Sequence, residues 1–447
     1  MQIEQYPIVG RRPRFAGSLA SVTDFLYATC EQPSYAQKGG VELRHCTLTT
    51  ILTVQEFLDN PHYSLYCFDP VEQRAIFVAL PPALDLTQVP FAHQAQYEAA
   101  QHMVALPIEL FHRLAQELPT PTQSIFLYMA ARSGSTVLSH ALNASGYVSS
   151  LSEPDAVTQL VHLREACGTE PARRFHDEEL VALATSTMRH LFRPQATHLG
   201  AQVRPLQAVK FRSEGVRVMD LFQRAFPTAV NLFLYRDTVG WVNSFQRIFT
   251  KLGLAEPLPV DEWQQLFEGF LQTDLCHLRR YLAPTCTVLS LVEQLTLWWI
   301  AIMEWYLAQW QQGTPVLAVR YQDLNTQRAL TLEAIFTHCG LLPTAVAPAL
   351  TAFATDAQAG TALARDQPER GAALQLDATA VAEIIAILQR HPQLRHPHFW
   401  APGTLDLTLY RNSRQLLRSR EETARMSDSP SPAGTRPTVS RQTAVHN

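Results

Sequence analysis

The segment FLYMAARSGSTVLSHALNASG, residues 126–146, restricts the fold more than any other stretch of the chain. It opens with an apolar run that contains the β-formers Phe126 and Tyr128, and it continues into a helical pattern with stop signals at Asn143 and Gly146. The pattern predicts a buried strand, a tight turn and a helix. The turn, Ser-Gly-Ser-Thr, places backbone N–H groups at the positive end of the helix dipole, which suits an anion such as phosphate.

The turn differs from the Walker phosphate loop, G-x-x-x-x-G-K-[ST]. With Gly134 aligned on the second glycine, Ser135 stands at the lysine position and Met129 at the first glycine. This disfavours an ordinary ATPase or kinase. Arg132, just before the turn, supplies a cation instead. The segment by itself is equally consistent with a strand-to-helix turn that has good N-caps.

A second segment, AVNLFLYRDTVGWVNSFQRIF at residues 229–249, adds another candidate anion site. An apolar strand ends at Arg236, and Ser244 follows inside a helix predicted to begin near residue 237 or 238. The planar guanidinium of an arginine suits phosphate, and a serine hydroxyl can join it on one oxyanion. The alternatives are a surface salt bridge for Arg236 and a solvated helix position for Ser244.

Together the two segments resemble the nucleotide-binding elements of sulfotransferases that use 3′-phosphoadenosine 5′-phosphosulfate (PAPS). In that family, [K/R]-S-G-[T/S]-[T/S] between a strand and a helix binds the 5′-phosphosulfate, and strand-R-D-P-x-x-x-x-x-S binds the 3′-phosphate. The resemblance assigns the 5′ side to Arg132 and the four turn residues, and the 3′ side to Arg236 and Ser244, with Thr238 in place of the usual proline. The turn residues are Ser133, Gly134, Ser135 and Thr136.

Two further segments, residues 206–227 and 314–341, resemble the same family, and all four stand in the family order. The resemblance covers residues 123 to about 345. It implies an α/β fold, a three-layer sandwich with a central parallel sheet similar to that of the P-loop NTPases.

The resemblance also implies catalytic residues. Glu153, in SLSEPDAV, resembles the E-P element of carbohydrate-type and bacterial sulfotransferases, where a glutamate acts as the base. Lys210 would share with Arg132 the neutralisation of the leaving group, but Arg212 stands where eukaryotic cytosolic enzymes have a K-x-H histidine. The alternatives are a helix-capping role for Glu153 and a surface position for Lys210.

A weaker match is found late in the chain. Arg370 and Gly371 resemble the R-x-G loop that closes over the 3′-phosphate in the family, but the neighbouring lysine and glycines are missing. Arg370 is therefore a further candidate for cofactor binding.

Composition limits the kinds of partner. A net charge of −4 predicts neither a nucleic-acid partner nor an anionic membrane surface. Seven scattered cysteines without a C-x-x-C pair indicate reduced thiols and no structural zinc, and we expect no metal. The N-terminal residues lack the apolar stretch of a signal peptide, and residues 295–310 are too short for the about 20 apolar residues of a membrane span. We expect a cytoplasmic protein in which residues 295–310 form a buried helix.

Three regions are predicted along the chain. Residues 1–120 form an α+β N-terminal extension, residues 121–411 a sulfotransferase-like domain, and residues 412–447, rich in Ser, Thr, Pro and Arg, a disordered tail.

The predicted function is transfer of a sulfuryl group from PAPS to a hydroxyl or amine of a small-molecule or carbohydrate acceptor. One alternative is another P-loop transferase, such as a small-molecule kinase. The other is a non-catalytic nucleotide-binding protein. The sequence identifies neither the acceptor nor the oligomeric state.

Overall fold

The computed structural model describes residues 2–14, 18–27, 50–119, 123–165, 175–193, 206–271, 273–361, 363–364 and 375–416. Described residues up to Leu405 belong to one unit, and those from Asp406 onward belong to a second. Arg370, Gly371 and most of the predicted tail lie outside the described residues.

The strands are β1 Ile3–Arg11, β2 Phe25–Tyr27, β3 Thr50–Leu52, β4 Tyr63–Asp69, β5 Arg74–Ala79, β6 His102–Pro107, β7 Gln123–Met129, β8 Val148–Ser152, β9 Leu206–Lys210, β10 Val230–Tyr235, β11 Leu258–Pro259, β12 Val288–Leu289 and β13 Leu317–Arg320. The α-helices are α1 Val54–Asp59, α2 Ala92–Ala99, α3 Ile108–Glu117, α4 Ser135–Ala144, α5 Asp155–Glu165, α6 Asp177–Leu191, α7 Met219–Ala225, α8 Thr238–Lys251, α9 Val260–Leu271, α10 Leu291–Gln311, α11 Tyr321–Thr326, α12 Arg328–His338, α13 Val346–Ala349 and α14 Ala378–Leu388. Short 3₁₀ helices cover Val22–Asp24, Ser213–Val218, Cys276–Tyr281, Pro343–Ala345 and Leu350–Phe353.

An antiparallel sheet is built from the first six strands in the order β2-β1-β6-β5-β4, with β3 paired to β1. The apolar runs YSLYCFD and RAIFVA form β4 and β5, and nearly all of their residues are buried. After α2, residues 102–117 divide at Pro107 into β6 and α3.

A parallel five-stranded sheet follows, in the order β13-β10-β7-β9-β8. Its central strand, β7, is buried on both faces, as a short continuous apolar run predicts. Phe126 and Tyr128 belong to one hydrophobic cluster, and Ile125 and Leu127, on the alternate positions, belong to another. Helices cover the sheet, so the protein is a mixed α/β structure.

The strand order determines where a ligand can bind. From β7 the chain continues through α4 to β8 at one edge of the sheet, whereas from β10 it continues through α8 toward β13 at the other edge. The connections after the adjacent strands β7 and β10 therefore leave in opposite directions. In open α/β sheets such a switch point creates a ligand-binding crevice at the carboxyl ends of the strands.

The apolar segment near residue 300 forms α10, which confirms the prediction of a buried helix. Ser290 caps it, because its hydroxyl accepts the Glu293 N–H while the Glu293 carboxylate accepts the Ser290 N–H. Trp299 is fully buried and donates its indole N–H to the carbonyl of Arg236, 3.1 Å away. Within the described part of the chain, every helix is too short or too polar to cross a membrane.

Candidate functional site

The predicted anion-binding turn lies between β7 and α4, at the carboxyl edge of the parallel sheet. Gly134 is the N-cap of α4 and has φ +84°, and a Cβ there would lie 3.2 Å from Leu324 Cδ2. Glycine is therefore favoured here, because the backbone is left-handed and any Cβ would push the Leu324 side chain aside. Arg132 also has positive φ, +62°, which turns the chain sharply just before the helix.

The hydroxyls of the turn differ in what they contact. Ser135 donates to Met129 Sδ at 2.6 Å, and Thr136 Oγ1 accepts from the Lys210 ammonium at 2.9 Å. Ser133 is fully buried, and its Oγ has no hydrogen-bond partner among the described residues. Four other buried hydroxyls are also unpaired among the described residues, so it is the position of Ser133 in the turn that makes it a candidate ligand contact.

The structure brings the two predicted anion-binding segments together. Arg132 Nε donates to Ser244 Oγ at 3.0 Å, across the switch point between β7 and β10. A second Arg132 nitrogen, Nη1, donates to Gln358 Oε1 at 2.7 Å. Ser244 is buried, so it is not the solvated helix serine of the alternative interpretation.

Arg236 follows β10 directly and is held in place by neighbours that leave one of its donors unused. Its guanidinium carbon lies 4.4 Å from the ring centroid of Tyr321, in a cation–π contact. Its Nε is buried and has no hydrogen-bond partner within the described ranges. Burial lowers the pKa of Arg236 from its usual value, because desolvation disfavours the charged form. A buried cation with an unused N–H favours an anionic ligand.

The neighbours of Arg236 explain how α8 begins. Asp237 caps the helix by accepting the N–H of Gly240 at 2.8 Å, and Thr238 is its first residue, which confirms the predicted helix start. Gly240 lets the Arg236 side chain lie against the first turn of α8, since a Cβ at residue 240 would lie 2.7 Å from Arg236 Nε. The Thr238 N–H donates to the carbonyl of Pro397 at 3.0 Å, a hydrogen bond that the usual proline could not make.

Lys210 and Glu153 form a buried ion pair beside the turn. Lys210 ends β9 and is 1% exposed, so it is not a surface lysine. Its Nζ lies 2.6 Å from Glu153 Oε1 and donates to Thr136 Oγ1 and Ser152 Oγ, at 2.9 and 3.2 Å. All three ammonium donors therefore have oxygen partners. Burial lowers the pKa of Lys210, although the Glu153 carboxylate opposes the shift.

Glu153 has an unusual backbone. Its φ is +53°, in the left-handed region that few residues other than glycine adopt. Its N–H donates to the carbonyl of Lys210 at 2.8 Å, which continues the parallel pairing of β8 with β9 beyond Ser152. The strained turn points the Glu153 carboxylate back at Lys210.

A buried charged cluster around Asp155 was not predicted from the sequence. Asp155 Oδ1 lies 2.7 Å from Arg212 Nη2, and its Oδ2 lies 3.2 Å from Arg14 Nη2 and accepts the Ala20 N–H at 2.7 Å. Burial raises the pKa of the Asp155 carboxyl, but Arg212, His93 and Arg14 outweigh it, so the pKa lies below its usual value. The one available signal was Arg212 at the position of the K-x-H histidine.

These contacts place two kinds of chemistry side by side. One is a set of cationic, hydroxyl and amide donors at a switch point, which suits a nucleotide phosphate. The other is a buried carboxylate–ammonium pair suited to proton transfer and to stabilising developing charge. Thr136 links them, because it belongs to the turn and accepts a hydrogen bond from Lys210.

Comparisons with known proteins find two bacterial sulfotransferases among structures of low similarity. No family model matches the chain, and no curated protein matches it either. Among solved structures, a sulfotransferase from Alicyclobacillus acidocaldarius shares 14% identity over 49% of this chain and 81% of its own, with a TM-score of 0.29. Sulfotransferase STF9 from Mycobacterium avium shares 13% identity over 62% of this chain and 78% of its own, with a TM-score of 0.31. At these values the functional assignment depends on the site itself.

Proposed function

We propose that this protein is a PAPS-dependent sulfotransferase that acts on a hydroxyl or amine of a small-molecule or carbohydrate acceptor. The observation that carries the proposal is the 3.0 Å hydrogen bond from Arg132 Nε to Ser244 Oγ. Two segments that resemble the 5′- and 3′-phosphate elements of one cofactor are far apart in sequence, yet they meet at a switch point of the sheet.

The unpartnered donors test whether a doubly phosphorylated nucleotide fits. Among the buried donors without a partner in the described structure, one in each segment lies just after the strand, Ser133 Oγ in the first and Arg236 Nε in the second. A ligand with one phosphate group at each position would satisfy both. The Asp237 carboxylate interacts with the Arg236 guanidinium, but it also accepts the Gly240 N–H as the cap of α8, so it leaves Arg236 Nε available to an anion.

The fold supports the same interpretation at finer detail. Hydrophobic clusters on both faces of the parallel sheet are consistent with a three-layer sandwich similar to that of the P-loop NTPases. We also propose the sequence-based division into residues 1–120, 121–411 and 412–447. The change from the antiparallel to the parallel sheet, between α3 and β7, supports the first boundary.

The roles of the residues follow from their contacts. When bound, PAPS supplies an activated sulfuryl group for in-line transfer. Arg132, Ser135, Thr136 and the turn amides hold the 5′ side, and Arg236 and Ser244 hold the 3′ side. Arg132 stays protonated and therefore acts as a positive charge, while Lys210 can also donate a proton. Glu153, already hydrogen-bonded to Lys210, accepts the proton of the acceptor. Catalysis is then mainly positioning and electrostatic stabilisation.

The test is transfer of radiolabelled sulfuryl from PAPS to a panel of phenols, sugars, amines and tyrosine peptides. We expect labelled product and release of 3′-phosphoadenosine 5′-phosphate (PAP) with at least one acceptor class. Glu153→Gln should lower turnover about 100-fold or more, since general-base catalysis contributes about 10²–10⁴. Glu262→Gln, on the outer surface of α9, is the matched control and should retain wild-type turnover.

The alternatives predict other results. A small-molecule kinase would bind ATP more tightly than PAP and transfer phosphate. A non-catalytic protein would bind PAP but transfer no label to any acceptor, and Glu153→Gln would change nothing. Either result would refute the proposed reaction.

A further inference from the structure

The catalytic pair is contacted by residues from the N-terminal region, around the start of α2. The carbonyl of Pro90 accepts the Ser152 hydroxyl at 2.6 Å. The Phe91 ring centroid lies 5.1 Å from Lys210 Nζ. His93 Nδ1 lies 3.0 Å from the carbonyl oxygen of Glu153. The connection between β5 and β6 of the antiparallel sheet therefore lies against the proposed active site.

We infer that Phe91 and His93 are positioning residues of the active site, Phe91 for the Lys210 ammonium and His93 for the backbone of Glu153. The catalytic role of the Lys210–Glu153 pair rests on the proposed function, whereas the contacts that hold the pair in place do not depend on it. It assigns to the N-terminal region a part in catalysis beyond that of an accessory extension.

The argument for Phe91 begins with the partners of Lys210. Glu153, Thr136 and Ser152 already take the three ammonium donors, so another polar neighbour would compete for them. An aromatic face stabilises a desolvated cation without accepting a conventional hydrogen bond. Phe91 therefore adds to the effect of the Glu153 carboxylate in favouring the charged form of Lys210 against desolvation.

The argument for His93 begins with the left-handed backbone of Glu153. Such a conformation in a residue other than glycine persists only when its surroundings hold it in place. A carbonyl oxygen can only accept, so His93 Nδ1 must carry the proton of that hydrogen bond. Burial and the charge of Arg212 lower the pKa of His93, against the opposing Asp155 and Glu153, so the neutral Nδ1–H form is favoured at neutral pH.

Other charged or titratable groups also face Lys210. They come from three more elements: Arg132 in the turn before α4, His140 on α4, and Arg212 after β9. None of these is altered by a change at Phe91, so the ring's effect on Lys210 can be measured separately.

The first experiment measures the ionisation of Lys210 directly and needs no activity. The chain has only three lysines, Lys38, Lys210 and Lys251, so ¹³Cε-labelled lysine gives three NMR signals, which Lys210→Arg assigns. Phe91→Leu keeps an apolar neighbour but removes the ring. We expect the Lys210 titration midpoint to fall by about 1.5 pH units, the size of a desolvated cation–π contact.

Two variants serve as comparisons. Phe91→Tyr keeps the ring and should restore the wild-type midpoint. Phe353→Leu makes the same change at another half-buried ring, which lies under Arg328 at 5.5 Å, and should leave the Lys210 midpoint unchanged. An unchanged midpoint in Phe91→Leu would overturn the role assigned to Phe91.

The second experiment is kinetic and addresses His93. His93→Ala should lower kcat about tenfold, the effect of one lost hydrogen bond, with little change in PAP affinity. His93→Asn should recover most of the rate, because the asparagine Nδ2 can donate from the position of Nδ1. His112→Ala removes another half-buried histidine whose Nδ1 is hydrogen-bonded, at 2.8 Å to Ser186 Oγ, and should retain the wild-type kcat.

The outcomes separate this inference from the proposed function. If the wild type transfers sulfuryl but the Phe91 and His93 variants match it in midpoint and kcat, only the inference fails. If the wild type transfers nothing but Phe91→Leu still lowers the Lys210 midpoint, the proposed function fails while the assignment of Phe91 stands. A loss of thermal stability in His93→Ala without a change in kcat would overturn the role of His93.

Discussion

Asp155→Asn should destabilise the protein strongly. The Asp155 carboxylate is almost completely buried and lies 2.7 Å from Arg212 Nη2, which is also buried. Removing one partner of a buried ion pair costs about 3–5 kcal/mol, because the remaining charge stays buried without compensation. Asparagine keeps an oxygen that can accept the Ala20 N–H, so we expect the lower end of this range, about 3 kcal/mol.

The assay is urea unfolding followed by circular dichroism, with the m-value checked for two-state behaviour. Asp261→Asn is the control, because Asp261 pairs with Arg279 in an exposed ion pair that is worth at most about 1 kcal/mol. In a double-mutant cycle, the variant Asp155→Asn with Arg212→Met should have a free energy of unfolding at least about 1 kcal/mol higher than that of Asp155→Asn alone. A loss no larger in Asp155→Asn than in the control would refute the reasoning.

The same carboxylate predicts a pH dependence. The folded-state pKa of Asp155 is lowered, so its contribution to stability is complete above the unfolded pKa of about 4 and is lost as the pH falls through the folded value. The free energy of unfolding of the wild type should therefore fall more steeply below about pH 4 than that of Asp155→Asn. Parallel curves would contradict the shift.

Three further predictions concern the site. Lys210→Met should lower kcat/KM about 100-fold or more in a sulfuryl-transfer assay. The control Lys251→Met, at the end of α8, should match the wild type. Equal rates for Lys210→Met and the wild type would exclude a catalytic role for Lys210. Gly134→Ala should lower the free energy of unfolding by about 1–3 kcal/mol and weaken PAP binding, because residue 134 has φ +84° and a Cβ there would lie 3.2 Å from Leu324. A variant with the wild-type melting temperature would contradict this. Thr238→Pro should lower the free energy of unfolding by about 1 kcal/mol, because the Thr238 N–H donates to the Pro397 carbonyl at 3.0 Å and proline has no N–H. A gain in stability would contradict this and would show that proline's effect on helix initiation is larger than that of the hydrogen bond.

Local patterns predicted the elements that surround the site. The apolar run before Arg132, the Ser-Gly-Ser-Thr turn and the following helix appear as β7, the turn and α4. The strand before Arg236 and the helix start at Thr238 appear as β10 and α8. Each of these depends on neighbouring residues, which is what periodicity and capping signals encode.

The site residues that the sequence did not predict depend on contacts between segments far apart in the chain. Arg14 reaches Asp155, and His93 reaches Glu153, because N-terminal residues pack against the start of α5, where Phe68 N–H also donates to Gln159 Oε1 at 2.6 Å. No spacing within a segment encodes such a pairing. Phe91 was equally invisible, since a lone phenylalanine before a helix has no distinguishing pattern. The role of Arg370, outside the described residues, stays a prediction.

The central claim is that two loops bind a nucleotide that carries a 3′-phosphate. Calorimetric titration with PAP, and with ADP and 5′-AMP for comparison, measures this on the wild type, Arg236→Ala and the charge-matched control Arg280→Ala, whose side chain is largely exposed. We expect micromolar binding of PAP alone, weakened about 10–100-fold in Arg236→Ala, as loss of a charge-assisted phosphate contact predicts, and unchanged in Arg280→Ala. Equal affinity for PAP and ADP, or an Arg236→Ala variant that binds PAP like the wild type, would contradict the assignment of the site.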